Sequence, residues 1–138
     1  MAGYSATPLA KKLGFKENFR AAVVNEPRTF RGALGELPGG VRFVAPARGP
    51  LDLGVLFVKS SGELEKAFAR LAARLAPAGM LWVAWPKKSS GVESDLSETV
   101  VRETGLALGL VDTKVCAIDE KWSGLRFVVR LKDRPRRR

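Results

Sequence analysis

The residues best suited to chemistry sit in one short run, Pro86-Lys87-Lys88-Ser89-Ser90-Gly91. Two ammonium groups, two hydroxyls and the flexible backbone at Gly91 are donors for a phosphate or a carboxylate. A helix starting near Asp95, with Glu98 at capping-box spacing, would add the positive end of its dipole. The run is not a P-loop, which needs a Gly-Lys pair with another glycine about five residues ahead of it. Glu93 and Asp95 would also oppose an anion at that helix end. The competing reading of Lys87, Lys88, Ser89, Ser90 and Gly91 is a solvated connection from strand to helix.

Other residues invite a functional and a plain reading side by side. Asn25 and Glu26 close the first predicted strand and face a crevice, where Glu26 would serve as a general base; no nucleophile is placed beside it. Trp82 and Trp85 point to opposite faces of a regular strand. One belongs to the core, and Trp85 is the candidate to line the crevice beside Pro86. Trp122, with Asp119, Glu120 and Ser123 nearby, either closes over that crevice or packs a hairpin onto the sheet. Lys66, Arg70 and Arg74 form a basic stripe, either the polar face of an amphipathic helix or a contact for phosphates. Asp52 reads as a turn or cap residue. Cys116 reads as a buried structural thiol, because the chain has no histidine to activate it.

These residues are carried by alternating elements. Residues 7–14 read as a short helix capped at Thr7, with Pro8 at its first position and Gly14 as its exit. Strands are predicted at 20–25, 41–45, 52–58 and 80–85, with a helical turn at 29–37. Ser60 or Ser61 caps a helix whose apolar face is Leu64, Ala67, Phe68, Leu71 and Leu75, and residues 76–79 (APAG) end it. A second helix runs from Asp95 to Gly105 or Gly109. Two final strands, 113–118 and 125–131, are joined by a loop containing Trp122-Ser123-Gly124. The last one alternates Leu125, Phe127, Val129 and Leu131 against Arg126, Val128, Arg130 and Lys132, a half-buried antiparallel pattern. Its charges suit a guarded edge, or else a contact surface.

Strands separated by helices imply right-handed crossovers and a parallel sheet. The expected fold is α/β: a three-layer, Rossmann-like, mostly parallel sheet of about six strands with a C-terminal antiparallel hairpin. Residues 1–133 read as one domain, and 134–138 as a basic, disordered tail. In such a sheet ligands bind outside the carboxyl ends of the strands, which places the crevice beside Pro86.

Composition bounds the chemistry. The chain has 138 residues, 46% of them hydrophobic and 28% charged, and a net charge of +10. With no histidine and one cysteine, no internal zinc site is expected. One cysteine also allows no internal disulfide, and neither a signal sequence nor a spanning segment is visible, so a cytoplasmic protein with no membrane contact is expected. The positive balance favours phosphate-bearing partners.

Three blocks, GYSATPLAKKLGF, LWVAWPKKSSGV and LVDTKVCAIDEKWSGLRFV, together resemble a small bacterial domain-of-unknown-function family, which implies no particular activity. LDLGVLFV and LARLAPAGMLWVAWP more distantly resemble the class I S-adenosylmethionine-dependent methyltransferase fold, as does the terminal antiparallel hairpin. In that strand order the last strand is internal, in tension with an edge reading. The resemblance implies a glycine-rich loop after the first strand and an acidic residue ending the second. Here those places hold Asn25-Glu26-Pro27-Arg28 and Val44-Ala45-Pro46. S-adenosylmethionine is thus a candidate cofactor whose standard contacts are missing.

The favoured expectation is a non-catalytic binding or regulatory module with a crevice for an anionic or nucleotide-like ligand. The alternatives are a divergent methyltransferase-like enzyme and a basic accessory protein that binds nucleic acid non-specifically through Lys66, Arg70, Arg74 and the tail.

Overall fold

Two strands, Leu51–Phe57 (β3) and Leu75–Pro86 (β4), form the middle of the sheet. In β3 every residue but Asp52 is buried, and so are residues 81–86 of β4. Strands apolar on both sides need a cover on each face. The computed structural model, which describes residues 7–134, shows that cover. Helices Ser61–Ala72 (α3) and Glu98–Ala107 (α4) pack Leu64, Phe68, Leu71 and Val101 against one face. Helices Leu9–Leu13 (α1) and Phe30–Leu34 (α2) pack Leu9, Ala10, Leu13, Phe30 and Leu34 against the other. The three-layer α/β expectation holds.

The remaining strands are Arg20–Val24 (β1), Arg42–Phe43 (β2), Leu110–Ala117 (β5) and Trp122–Val129 (β6). The sheet order is β2-β1-β3-β4-β6-β5. The first four strands are parallel, and β6 runs antiparallel to both of its neighbours. β6 is therefore internal, and the guarded-edge reading of Arg126 gives way. The Arg126 guanidinium instead sits 5.9 Å from the centre of the Trp82 ring and donates from Nε to Thr113 Oγ1 at 2.8 Å.

Local chemistry sets the element ends. Ser60 caps α3: its Oγ accepts the Glu63 N–H at 3.2 Å, while Glu63 reaches back to the Lys59 N–H at 2.8 Å. Ser97, not Asp95, caps α4 through the Val100 N–H at 3.2 Å. Asp95 ties the preceding loop to the start of α3 instead, accepting the Ser61 hydroxyl at 2.7 Å and its N–H at 2.9 Å. The Ser61 hydroxyl first, then its N–H, pull the Asp95 carboxyl below its usual pKa. α1 starts at Leu9, with Pro8 at its N-cap position. Its buried carboxyl end is satisfied where the Trp82 indole N–H donates to Leu13 O at 2.8 Å.

Two expected loops lie inside strands. Residues 76–79 bulge out of β4 between the pairs Leu51–Leu75 and Leu53–Met80. Gly79 is required there, since a Cβ would come within 2.5 Å of Leu51 O. Trp122-Ser123-Gly124 opens β6, pairing with Pro86, Trp85 and Ala84. At the C-terminus, Arg134 Nε donates to Val129 O at 3.2 Å, so Arg134 is not part of a free tail. The expectation for residues 135–138 lies outside the described residues, as does any reading of 1–6.

Gly105 brings α4 onto the sheet. A Cβ there would overlap the Phe127 ring, which stands edge-on to Phe68 with centroids 5.1 Å apart. Alanine would gain about 1 kcal/mol of helix propensity, yet overpacking costs about 1–3 kcal/mol. Gly105→Ala should therefore lower the urea midpoint, and adding Phe127→Leu should recover part of the loss relative to Phe127→Leu alone. A Gly105→Ala chain as stable as the parent would contradict this packing.

Candidate functional site

The chain leaves β1 toward β2 on one side and returns to β3 on the other. That reversal opens a crevice at the carboxyl ends of β1 and β3. Its main cavity is about 620 Å³, lined by Arg28 and Thr29 after β1, Lys59 after β3, Pro86 at the end of β4, and Glu120 and Trp122 of the β5–β6 hairpin. A second cavity of about 300 Å³ adjoins it, with Asn25, Phe57, Lys59, Glu63 and Trp122 on its walls.

The floor is built by one bond and three rings. Asn25 takes the left-handed conformation, φ 58°, that a glycine adopts without strain. Its Nδ2 donates to Phe57 O at 3.0 Å, joining the ends of β1 and β3 across the switch point. The Phe57 ring meets Phe30 at 5.1 Å and Trp122 at 5.0 Å between centroids, both edge-to-face. Asp119 fixes the hairpin that carries Trp122, accepting the Lys121 and Trp122 N–H groups at 2.7 and 2.9 Å. The Lys87 N–H donates to Lys121 O at 2.8 Å, which pins the end of β4 to the same hairpin.

The candidate residues are thus split. Asn25 and Trp122 stand on the crevice walls. Trp85 does not: Trp82 and Trp85 point to opposite faces, and both are buried, Trp85 at 5% exposure in the α3/α4 core. Glu26 turns to Arg31, 2.8 Å away, and is absent from the crevice lining. Lys87, Lys88, Ser89, Ser90 and Gly91 are absent from it too. Residues 88–90 form a 3-10 turn in which the Ser90 hydroxyl donates to Lys87 O at 2.6 Å and accepts the Val92 N–H at 3.1 Å. That hydroxyl is spent on the turn's own backbone. Lys66, Arg70 and Arg74 are exposed and lie away from the crevice. Asp52 accepts the Arg20 N–H at 2.8 Å, as a cap residue would. Cys116 is half-buried in β5, and burial pushes its thiol pKa up.

Sequence reading missed Arg28, Thr29 and Lys59. Lys59 directly follows a strand predicted to end at the crevice, and Arg28 and Thr29 lie three and four residues past another; that position was the available signal.

An S-adenosylmethionine ligand fits this crevice in size and charge, but not in the fold's standard pose. Cavities that hold such ligands run from about 300 to 1,000 Å³. Arg28 and Lys59 match a carboxylate, and the Trp122 ring matches a cationic sulfonium. The ribose side departs: residues 44–46 offer no acid and do not appear in the lining, and Pro27 stands where a glycine is expected.

If Asn25 holds the floor, Asn25→Ala should cost about 1–3 kcal/mol, through a lost hydrogen bond and left-handed strain. Asn25→Gly should cost less, because glycine keeps the turn. Equal losses in urea titrations would remove the backbone part of this explanation.

No protein-family model and no curated protein sequence matches the chain. The likeness to the small bacterial family therefore remains an expectation. Solved structures do match. A ribosomal protein L11 methylase from Lactobacillus delbrueckii subsp. bulgaricus superposes with a TM-score of 0.62 at 12% identity, over 88% of this chain and 75% of the other. A precorrin-6y C5,15-methyltransferase from Geobacter metallireducens gives 0.55 at 9%, over 88% and 86%. The magnesium protoporphyrin IX methyltransferase of Synechocystis, solved with bound SAM, gives 0.55 at 10%, over 88% and 74%. At these identities the likeness establishes the fold. It also overturns the expectation of a non-catalytic binding or regulatory module: solved neighbours named with an activity are methyltransferases, and the methyltransferase-like alternative is the better supported. The chain has the Rossmann-like fold of the class I methyltransferases.

Proposed function

We propose that this chain is a divergent methyltransferase-like enzyme that holds S-adenosylmethionine in the crevice beside Trp122. The observation that carries the reading is the main cavity of about 620 Å³ at the switch point, where cationic side chains and an aromatic face converge. Arg28 and Lys59 would take the carboxylate of the amino-acid end. The Trp122 face would receive the sulfonium, and Asp119 and Glu120 bring negative charge to the same wall. When bound, S-adenosylmethionine supplies an electrophilic methyl group. The Phe30–Phe57–Trp122 rings would give that site an apolar floor. Asn25 holds the two strand ends in place. No helix among the described residues is long and apolar enough to cross a membrane, and a cytoplasmic setting is part of the proposal.

Titration calorimetry with S-adenosylmethionine and S-adenosylhomocysteine tests this. A Kd between about 1 μM and 1 mM is expected, the usual range for enzyme substrates. Arg28→Ala and Lys59→Ala should each weaken binding about tenfold, or 1.4 kcal/mol. Both side chains are exposed, so folding should be untouched. No heat and no thermal shift at millimolar concentrations of either ligand would overturn the reading.

A further inference from the structure

A second surface lies at the opposite end of the sheet. Arg20 and Arg42 are register partners where β1 meets β2. Their neighbours Ala21 and Phe43 belong to the α1/α2 core, so strand alternation turns both arginines toward the face that carries α3. The Arg20 guanidinium donates to the carbonyl of Arg48. Gly49 then packs against Arg74, whose Cβ would lie 3.1 Å from a Cβ placed on Gly49. Leu51 N–H donates to Arg74 O at 2.7 Å, which fixes Arg74 to the start of β3. Arg74 lies two residues past the end of α3, which carries Lys66 and Arg70. Glu65 faces α4, lining a cavity with Glu103 and Thr104, so the basic stripe takes the other flank of α3, on the side away from α4.

Six basic residues thus lie between α3 and the amino-terminal rim of the sheet, and five of them, Arg42, Arg48, Lys66, Arg70 and Arg74, are exposed. Among the described residues none of the six makes an ion pair. Asp52, a carboxylate in this rim, is engaged by the Arg20 N–H. Arg20 Nε is buried and has no hydrogen-bond partner. Like charges held close together without acidic partners gain most from an arriving anion.

From this geometry we propose that Arg42, Arg20, Arg48, Arg74, Arg70 and Lys66 bind the phosphodiester backbone of a nucleic acid. The row from Arg42 to Arg74 crosses from β2 to β4, three strand spacings of about 4.8 Å, or about 14 Å. One strand of a duplex places a phosphate about every 3.4 Å along its axis. The row therefore spans about four phosphates, whereas a single phosphate would meet one or two of its arginines. Arginine's planar fork matches phosphate oxygens in pairs. Nothing here reads base edges, so binding is independent of sequence. The chain beyond the last described residue continues as Pro135-Arg136-Arg137-Arg138, which adds positive charge.

Fluorescence anisotropy with a labelled DNA duplex and a labelled single-stranded RNA, against salt, tests this on the full chain. Four contacts predict a slope of log K on log salt of about −3.6 for the duplex, steeper if the terminal arginines join. Arg42→Ala/Arg48→Ala/Arg74→Ala should flatten that slope by about 2.7 and weaken binding more than tenfold at moderate salt. The control Lys11→Ala/Lys88→Ala/Lys114→Ala removes equal charge elsewhere and should change the slope by less than about one. Three results would each overturn the proposal. One is no binding to either nucleic acid at low salt. Another is an equal loss in both triple variants, which would leave only net charge. The third is binding to polyglutamate or anionic phospholipid vesicles as tight as to nucleic acid at the same salt, which would assign the rim to another partner.

Discussion

Burial of both faces of β3 and β4 is the constraint on which the molecule depends. A strand apolar on one side can face water on the other, but these two cannot, because leucine, valine, phenylalanine and tryptophan side chains leave both surfaces. Each face must carry helices, and helices that link parallel strands return the chain to the same end each time. All carboxyl ends of β1, β3 and β4 therefore gather at one rim, and all their amino ends at the other. The crevice and the arginine row are the two rims of that arrangement. Neither would exist in an antiparallel sheet, where strand starts and ends alternate.

The crevice shows how a fold can keep its position for a ligand while changing the contacts. A glycine loop lets a ligand approach the first strand closely because there is no side chain in the way. Here Asn25 adopts the backbone conformation that glycine would supply, then uses its side chain to tie β1 to β3. Space opens instead toward the β5–β6 hairpin, whose tryptophan is held by Asp119 and by the end of β4. The second strand is followed by Val44-Ala45-Pro46, which carry no acid, and the charged groups of the crevice are those of Arg28, Lys59 and the hairpin.

Features carried by local chemistry were legible in the sequence. Ser60 with Glu63 marked the start of α3, the apolar run of β3 marked a strand buried on both faces, and the spacing of Trp82 and Trp85 placed them on opposite sides. Features that depend on a distant partner were not. Residues 76–79 look like a helix exit, yet Gly79 fits against Leu51 O inside a bulged strand. Asp95 looks like the cap of its own helix, yet it bonds Ser61 of another. Lys87 to Gly91 look like an anion loop because the sequence shows their donors but not that Ser90 is turned inward. The arginines at 20, 42, 48 and 74 are scattered along the chain, and only the parallel register brings them into one row.

The most direct measurement of the central claim is a crystal structure of the chain grown with S-adenosylhomocysteine. The ligand should lie against the Trp122 ring with its carboxylate between Arg28 and Lys59. Density over Val44-Ala45-Pro46 instead, or a crevice holding only solvent at saturating ligand, would contradict the placement of a methyl-donor site between the strand ends and the hairpin.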